Sequence, residues 1–266
     1  MPELVEVDCY RRLAEVQALG RPVAAVRAPD PWYLKGGLSA PGVEAALAGM
    51  QFAAARRRGK LLLLDTETRT GTGAGPVLGL RFGMSGRLVV DGTAGAGALL
   101  HSPPGQPRFD RFAVSFADGG SLRVNDPRRL GGVELDPDEA ALGPDALAVT
   151  PAGLARALAG SAAPLKARLL DQSRLAGVGN LIADEILWRA SLSPLRPAGG
   201  LAPAELRRLG RHLRAGLAQM IERGGSHTGD LMAERRPGGA CPADGAGLVR
   251  SVVGGRTTWW CPRHQH

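Results

Sequence analysis

The sequence predicts an α+β protein: an N-terminal β-sandwich domain, a C-terminal helical domain and a terminal β-hairpin module. Three observations carry that prediction. Residues 23–135 break into short extended runs separated by glycine- and proline-rich turns, the pattern of a sandwich. Further along, residues 165–188 and 203–222 place apolar side chains at helical spacing. The last stretch is extended again, with Val249, Val252, Val253, Trp259 and Trp260 flanking Gly254-Gly255. The expected boundaries are 1–135, 136–228 and 235–266.

A chain of 266 residues has material for roughly two domains with cores of their own. Its formal charge is +8, from 33 Lys and Arg against 25 Asp and Glu. Such a balance suits a polyanionic partner, because cations that neutralise phosphates release condensed counterions. Only Lys35, Lys60 and Lys166 are lysines, so each is a candidate for a particular role. Cys9, Cys241 and Cys261 do not make a disulfide framework, and no apolar run reaches the length of a membrane span. Glu3, Glu6 and Asp8 put acids where a secretory signal would be basic and then apolar, so a reducing cytoplasm is expected.

In chain order, residues 22–26, 60–65, 77–82, 87–90, 112–116 and 121–124 are the extended candidates, and 41–50 is the clearest helix among them. Residues 68–75 and 92–105 read as loops. Arg56, Arg57 and Arg58 read as a basic turn ahead of the apolar run 61–64. Leu142-Gly143-Pro144-Asp145 marks the exit from the β domain, and Thr150-Pro151 fits an N-cap and first helical position. Residues 203–222 form an amphipathic helix, with Leu206, Leu209, Leu213, Leu217, Met220 and Ile221 on one face. Arg207, Arg208, Arg211 and Arg214 lie largely opposite, on a solvated basic face.

The central stretch is 169–194, LLDQSRLAGVGNLIADEILWRASLSP. Leu165, Leu169 and Leu170 keep a helical period before the break, and Leu181, Ile182, Ile186, Leu187 and Trp188 resume it afterwards. Between them Ala176-Gly177-Val178-Gly179-Asn180 allows a sharp turn and close approach of a ligand, with Asn180 where a second helix begins. Main-chain N–H groups and an amide then point outward together, which suits a phosphate. An ordinary helical hairpin with an Asn cap is the plainer reading. The order of residues, however, resembles the helix-two-turn-helix signature of the formamidopyrimidine-DNA glycosylase and endonuclease VIII family. That resemblance implies that Gly179, Asn180 and their amides grip DNA phosphates beside a damaged nucleotide.

The N-terminus, Met1-Pro2-Glu3-Leu4-Val5-Glu6, reads on its own as the first turn of a helix, its acids favoured by the dipole. Removal of Met1 would expose the secondary amine of Pro2, and an α-amino group titrating near about 7.7–8.0 is in part a free nucleophile at neutral pH. Pro-Glu-Leu followed by Glu-Val is similar to the opening of the same family. The resemblance implies Pro2 as nucleophile, Glu3 as general acid/base and Glu6 as a supporting carboxylate. Val5, Asp8 and Cys9 depart from the family's usual residues without removing a catalytic group.

Three further matches fall in the β domain. Lys60, just after Arg58-Gly59 and before an apolar run, corresponds to the family's phosphate-binding lysine, counted also with the catalytic set. Met84, in Gly83-Met84-Ser85-Gly86, corresponds to a side chain that fills the space vacated by an extruded nucleotide, since chemistry at C1′ cannot be reached inside the stack. Arg128, in Asp126-Pro127-Arg128-Arg129, corresponds to an arginine that meets the orphaned opposite base, with Leu130 in place of the usual wedging Phe. Read without the family, these are a basic turn, a core methionine and surface arginines.

At the C-terminus, Cys241-x2-Asp244 and Cys261-x2-His264 stand where the family has two Cys-x2-Cys pairs of a β-hairpin zinc finger. Asp and His both ligate zinc, so Cys241, Asp244, Cys261 and His264 could hold one ion in a degenerate site. The alternative is a zinc-free hairpin held by its valines and tryptophans. Arg256 matches the finger arginine that clasps phosphates.

Taken together, the resemblance implies a bifunctional base-excision-repair DNA glycosylase and AP lyase. It would act through an N-terminal proline Schiff base followed by β,δ-elimination. Its partner would be double-stranded DNA containing oxidised bases or abasic sites, with no membrane, and it would work as a monomer in the cytoplasm near the nucleoid. A non-catalytic damage- or abasic-site-binding protein of the same fold is the alternative. The stretch from Gly225 to Cys241 is short for a loop that caps an 8-oxopurine. With Leu130, this favours formamidopyrimidines, oxidised pyrimidines or abasic sites.

Overall fold

The computed structural model describes residues 2–96 and 105–266, in two compact units that meet in sequence between Glu139 and Ala140. Residues 97–104 of the expected loop 92–105, and Met1, lie outside the described residues.

The first unit opens with helix α1 (Leu4–Gln17), whose face Leu4, Val7, Tyr10 and Ala14 is fully buried at helical spacing. Val5, one of the departures from the family pattern, is also buried in the first turn, where the helix forms normally. Two antiparallel sheets follow. The first has the order β1-β7-β8-β5-β6, made of β1 (Val23–Arg27), β5 (Arg87–Val90), β6 (Thr93–Ala94), β7 (Asp110–Phe116) and β8 (Ser121–Asn125). The second has the order β2-β3-β4-β9, made of β2 (Met50–Arg58), β3 (Leu61–Thr68), β4 (Ala74–Arg81) and β9 (Gly132–Leu135). Phe52, Leu62, Leu64, Leu78 and Leu80 of the second sheet share one apolar core with Leu88, Val90, Phe112, Val114 and Val124 of the first. Val7 and Tyr10 of α1, and Val43 and Leu47 of α2 (Ala40–Leu47), join the same core. The result is the expected sandwich.

Two local readings change. Arg56, Arg57 and Arg58 are not a turn: they form the end of β2, paired with Leu63, Leu62 and Leu61. The apolar partner strand dictates the pairing, and an edge strand tolerates charge. The turn itself is Gly59-Lys60, with Gly59 at φ +59°. The helix expected at 41–50 ends at Leu47, because Gly49 adopts φ +76° and Met50 enters β2.

The second unit is helical. Thr150 caps α3 (Pro151–Leu158), its hydroxyl accepting from Gly153 N at 3.0 Å, as its sequence predicts. Helices α4 (Leu165–Leu170) and α5 (Asn180–Arg189) are the two arms of the central hairpin, and α6 (Pro203–Glu222) packs on α5 and α3 with Leu209, Leu213, Leu217 and Met220 buried. A Cβ at Gly216 would run into Ile186, so glycine lets these helices approach closely. Arg207, Arg211 and Arg214 are exposed on α6 as expected, whereas Arg208 turns inward and donates from Nε to the Ala190 carbonyl at 2.7 Å. The chain ends in the hairpin β10 (Val249–Val253) and β11 (Arg256–Trp260). No helix among the described residues is long and apolar enough to cross a membrane.

Candidate functional site

The candidate residues fall in both units, and each set is built by its own local packing. In the first unit Pro2, Glu3 and Glu6 are buried at the start of α1. Glu3 is the N-cap, and its backbone N–H donates to the Glu6 carboxylate at 2.8 Å. The plain and the catalytic readings therefore coincide, since Glu6 closes the helix start and in doing so fixes the backbone of Glu3. Asp8, one turn on, pairs with Arg11 at 3.1 Å, Arg12 at 2.9 Å and Arg57 at 3.6 Å, tying α1 to β2. Burial works against its charge, but the Arg11 hydrogen bond and the charges of Arg11, Arg57 and Arg12 hold its carboxyl below the ordinary value. Lys60 follows at the half-buried turn between β2 and β3.

Met84 sits half-buried in the turn between β4 and β5. The Tyr10 hydroxyl donates to the Gly86 carbonyl at 3.1 Å, and its ring lies 4.5 Å from that of Phe82, so α1 grips this turn directly. Arg128 and Leu130 project from the turn after β8, and Leu130 is 53% exposed. Arg129 between them has φ +57° and forks onto Asp30 through two 2.6 Å hydrogen bonds. Those hydrogen bonds hold the Asp30 carboxyl below its ordinary value despite its burial.

In the second unit Gly179 is the N-cap of α5 and Asn180 its first residue. Gly177 takes φ +111°, and no side chain at Gly179 covers the first turn. The Asn180 amide oxygen is buried with no hydrogen-bond partner among the described residues, an orphan of the kind that functional sites retain. Gln172 holds the loop, its Nε2 donating to the Leu170 and Val178 carbonyls at 2.8 and 3.0 Å while its Oε1 accepts from Gly177 N at 3.0 Å. Nothing in residue spacing singled it out.

Arg256 is exposed at the tip of the β10–β11 hairpin. The hairpin is braced from below by a buried ion network that spacing did not reveal. Lys166 of α4 pairs with Asp184 of α5 at 2.6 Å, both essentially unexposed. Lys166 Nζ also donates to the Thr258 hydroxyl at 2.8 Å and the Thr257 carbonyl at 3.2 Å. Asp184 in turn accepts from Arg235 at 2.7 Å and from Trp259 N at 3.2 Å. The scarcity of lysine was the one signal that marked Lys166.

Of the four expected metal ligands, Cys241, Asp244 and Cys261 bring their ligand atoms within 4.8 Å of one another. That spacing fits three corners of a zinc site. His264, the fourth expected ligand, is not among the three whose ligand atoms cluster. Its Nε2 lies 3.0 Å from the Trp188 carbonyl, and the neighbouring Gln265 spans from Cys261 N to the Leu192 carbonyl, so the C-terminal residues are spent on the end of α5.

A β-sandwich unit followed by a helix-two-turn-helix unit with a braced hairpin defines a class of DNA-binding repair proteins, and comparison with known proteins makes the assignment specific. Residues 1–133 match the formamidopyrimidine-DNA glycosylase N-terminal domain, and residues 141–231 match the H2TH domain of formamidopyrimidine-DNA glycosylase. The chain is similar to a Cereibacter sphaeroides formamidopyrimidine-DNA glycosylase, 36% identical over 294 residues and covering both chains in full. A Thermus thermophilus formamidopyrimidine-DNA glycosylase is likewise 36% identical, covering 100% of this chain and 98% of that protein. The structure resembles that of wild-type Lactococcus lactis Fpg (MutM) in complex with N7-benzyl-Fapy-dG-containing DNA, with a TM-score of 0.82, 25% identity and 99% of each chain covered. A Lactococcus lactis Fpg complexed with abasic-site DNA matches equally well, at TM-score 0.82 over the full length of both chains. The chain belongs to the formamidopyrimidine-DNA glycosylase family.

Proposed function

We propose that the protein is a base-excision DNA glycosylase and AP lyase whose nucleophile is the amine of Pro2, freed by removal of Met1. The observation that carries this reading is the buried Pro2-Glu3-Glu6 start of α1, where the Glu6 carboxylate holds Glu3 by its backbone. A helix N-terminus disfavours an ammonium, which leaves the secondary amine free to attack. The Pro2 nitrogen bonds to C1′ and the glycosidic bond breaks, with Glu3 supplying the proton the departing base needs. The amine then loses its proton and the C1′–O4′ bond opens, O4′ taking up a proton, which leaves an iminium at C1′ that is an electron sink. Loss of a C2′ proton expels the 3′ phosphate by β-elimination, and a second elimination expels the 5′ phosphate.

Lys60, Asn180, the Gly179 turn and Arg256 hold phosphates, and Met84, Arg128 and Leu130 occupy the space left by the extruded nucleotide. The partner is double-stranded DNA containing oxidised bases or abasic sites, bound by a monomer, and the site of action is the cytoplasmic nucleoid. Formamidopyrimidines, oxidised pyrimidines and abasic sites are the favoured lesions. Support comes from the segment after Gly225, which is pinned down: the Glu185 carboxylate accepts from Asp230 N and Leu231 N at 3.0 and 2.9 Å, and Arg189 and Arg223 clasp Asp230. A segment held in this way is poorly suited to fold over an 8-oxopurine. Cys241, Asp244 and Cys261 supply three ligands for one zinc ion, whose work would be to brace the hairpin.

Borohydride trapping on a duplex with one abasic site tests the reading. The parent should form a covalent adduct that Pro2→Gly abolishes, and Glu3→Gln should slow base release by roughly 100-fold or more. Tight binding by the parent with no adduct would make the chain a lesion-binding relative without chemistry.

A further inference from the structure

The turns that carry Met84 and Arg128 are joined through one buried carboxylate. Asp126 is fully buried. Its Oδ1 accepts from the Ser85 hydroxyl at 2.5 Å and from Arg128 N at 3.2 Å, while its Oδ2 accepts from Gly131 N at 2.9 Å. Ser85, itself buried, also accepts from Arg128 N at 3.2 Å. The Asp126 main chain is tied down as well, its N–H donating to the Phe109 carbonyl and its carbonyl accepting from Arg111 Nε, both at 2.9 Å. The backbones of the two turns touch: Gly83 has φ +56°, and a Cβ there would collide with the Leu130 carbonyl carbon. One carboxylate therefore spans the residue after Met84, the amide of Arg128 and the residue after Leu130. An ordinary turn-capping Asp would bond only within its own turn.

We propose that Asp126 is a positioning residue that locks the Met84 turn and the 128–130 turn into a single wedge, so that the space-filling side chains enter the duplex together. The inference rests on the reading that Met84, Arg128 and Leu130 fill the vacated space. Asp126 and Ser85 touch no reacting atom in this scheme, so their contribution belongs to nucleotide extrusion and not to bond breaking. Extrusion is required on a duplex and not on a single strand, where no stack has to be opened.

The test compares Ser85→Ala, which removes the hydroxyl that bonds both the Asp126 carboxylate and Arg128 N, with Asp126→Asn, in which an amide N–H₂ replaces one acceptor. Each is measured in two assays: base release from a duplex carrying a formamidopyrimidine lesion, and borohydride trapping on a single-stranded abasic oligonucleotide. We expect duplex release to fall by roughly tenfold, the scale of one coupled contact, with trapping within about twofold of the parent. In a Met84→Ala background, Ser85→Ala should have a clearly smaller further effect than in the parent, because one of the two parts it aligns is gone; a merely structural bond would register equally in both backgrounds. Equal losses in both assays, or duplex release unchanged in both variants, would overturn the proposal. If Met84→Ala alone leaves duplex release at the parent rate, the space-filling reading itself fails, which is distinct from an impaired Met84→Ala beside a neutral Ser85→Ala.

Discussion

Individual side chains in this protein hold the backbone on which candidate site residues stand, and Glu6 is the clearest case. Its carboxylate accepts the Glu3 N–H at 2.8 Å, so it caps α1 and also sets where the next carboxylate stands. Glu6→Gln keeps an acceptor oxygen and should retain much of the activity. Glu6→Ala removes the bond, and the loss of a hydrogen bond to a charged group should cost about 1.5–3 kcal/mol of stability. Urea unfolding beside the trapping rate checks this: the Ala variant should lose both, the Gln variant little of either. If Gln is as damaging as Ala, the negative charge and not the capping bond is what the site needs. At this scale Pro2, Glu3, Lys60, Met84, Asn180 and Arg256 each stand in a short motif, and the roles proposed for them come from the family resemblance those motifs carry. The links from Tyr10 to Gly86 and from Ser85 to Asp126 could not be read, because the partners lie 76 and 41 residues apart in sequence. Gln172, though it stands in the central motif and bonds only nearby residues, carries no spacing that marks it as the brace of its loop.

At the scale of elements, helices were legible and edge strands less so. α6 follows its apolar period from Pro203 to Glu222, and α3 starts at the Thr150 cap its sequence advertises. β2 escaped because Ala53, Ala54, Ala55 and three arginines carry no alternation; its pairing with Leu61–Leu64 is a tertiary fact. The C-terminal hairpin was half legible. Its extended pattern and paired ligand spacing were visible, but the support from Lys166 and Asp184 was not. That support has a measurable consequence. Lys166→Met leaves a buried carboxylate facing Arg235 and the Trp259 N–H, and should cost about 3 kcal/mol. A fall of roughly 6–12 °C in Tm is expected, with weakened DNA binding because Arg256 sits on the released hairpin. A shift under about 1 °C would mean that the network is not what holds the hairpin. The same bracing predicts how the metal site behaves. With His264 and Gln265 already bonded to the end of α5, stripping zinc with a chelator should lower Tm only slightly and leave trapping intact, while metal analysis of the untreated protein should find about one zinc per chain. Collapse of activity on chelation would show that the ion carries the load here assigned to the ion network.

For the whole molecule, the charge balance of +8 governs two responses that run in different directions. Acid acts on folding. Asp8, Asp30, Asp171, Glu205 and Asp244 are all held below their ordinary values, and Asp118 is pulled down to about 2 chiefly by hydrogen bonding to Arg21. A depressed carboxylate adds stability that is complete above its unfolded value and vanishes as pH falls through the folded one. Tm should therefore be flat at neutral pH and decline from about pH 4 downward. Salt acts on binding instead. Each neutralised phosphate contributes a slope of about −0.9 to the logarithm of affinity against the logarithm of salt. Lys60→Met and Arg256→Ala, having each lost one cation, should bind abasic duplex more weakly and with slopes shallower by about 0.9. Asn180→Ala should also weaken binding, but its slope should match the parent's, because an amide neutralises nothing. The contrast separates contact from charge at single residues. Were Arg256→Ala to keep the parent slope, Arg256 would not lie on a phosphate, and the hairpin would have to contribute shape instead of charge.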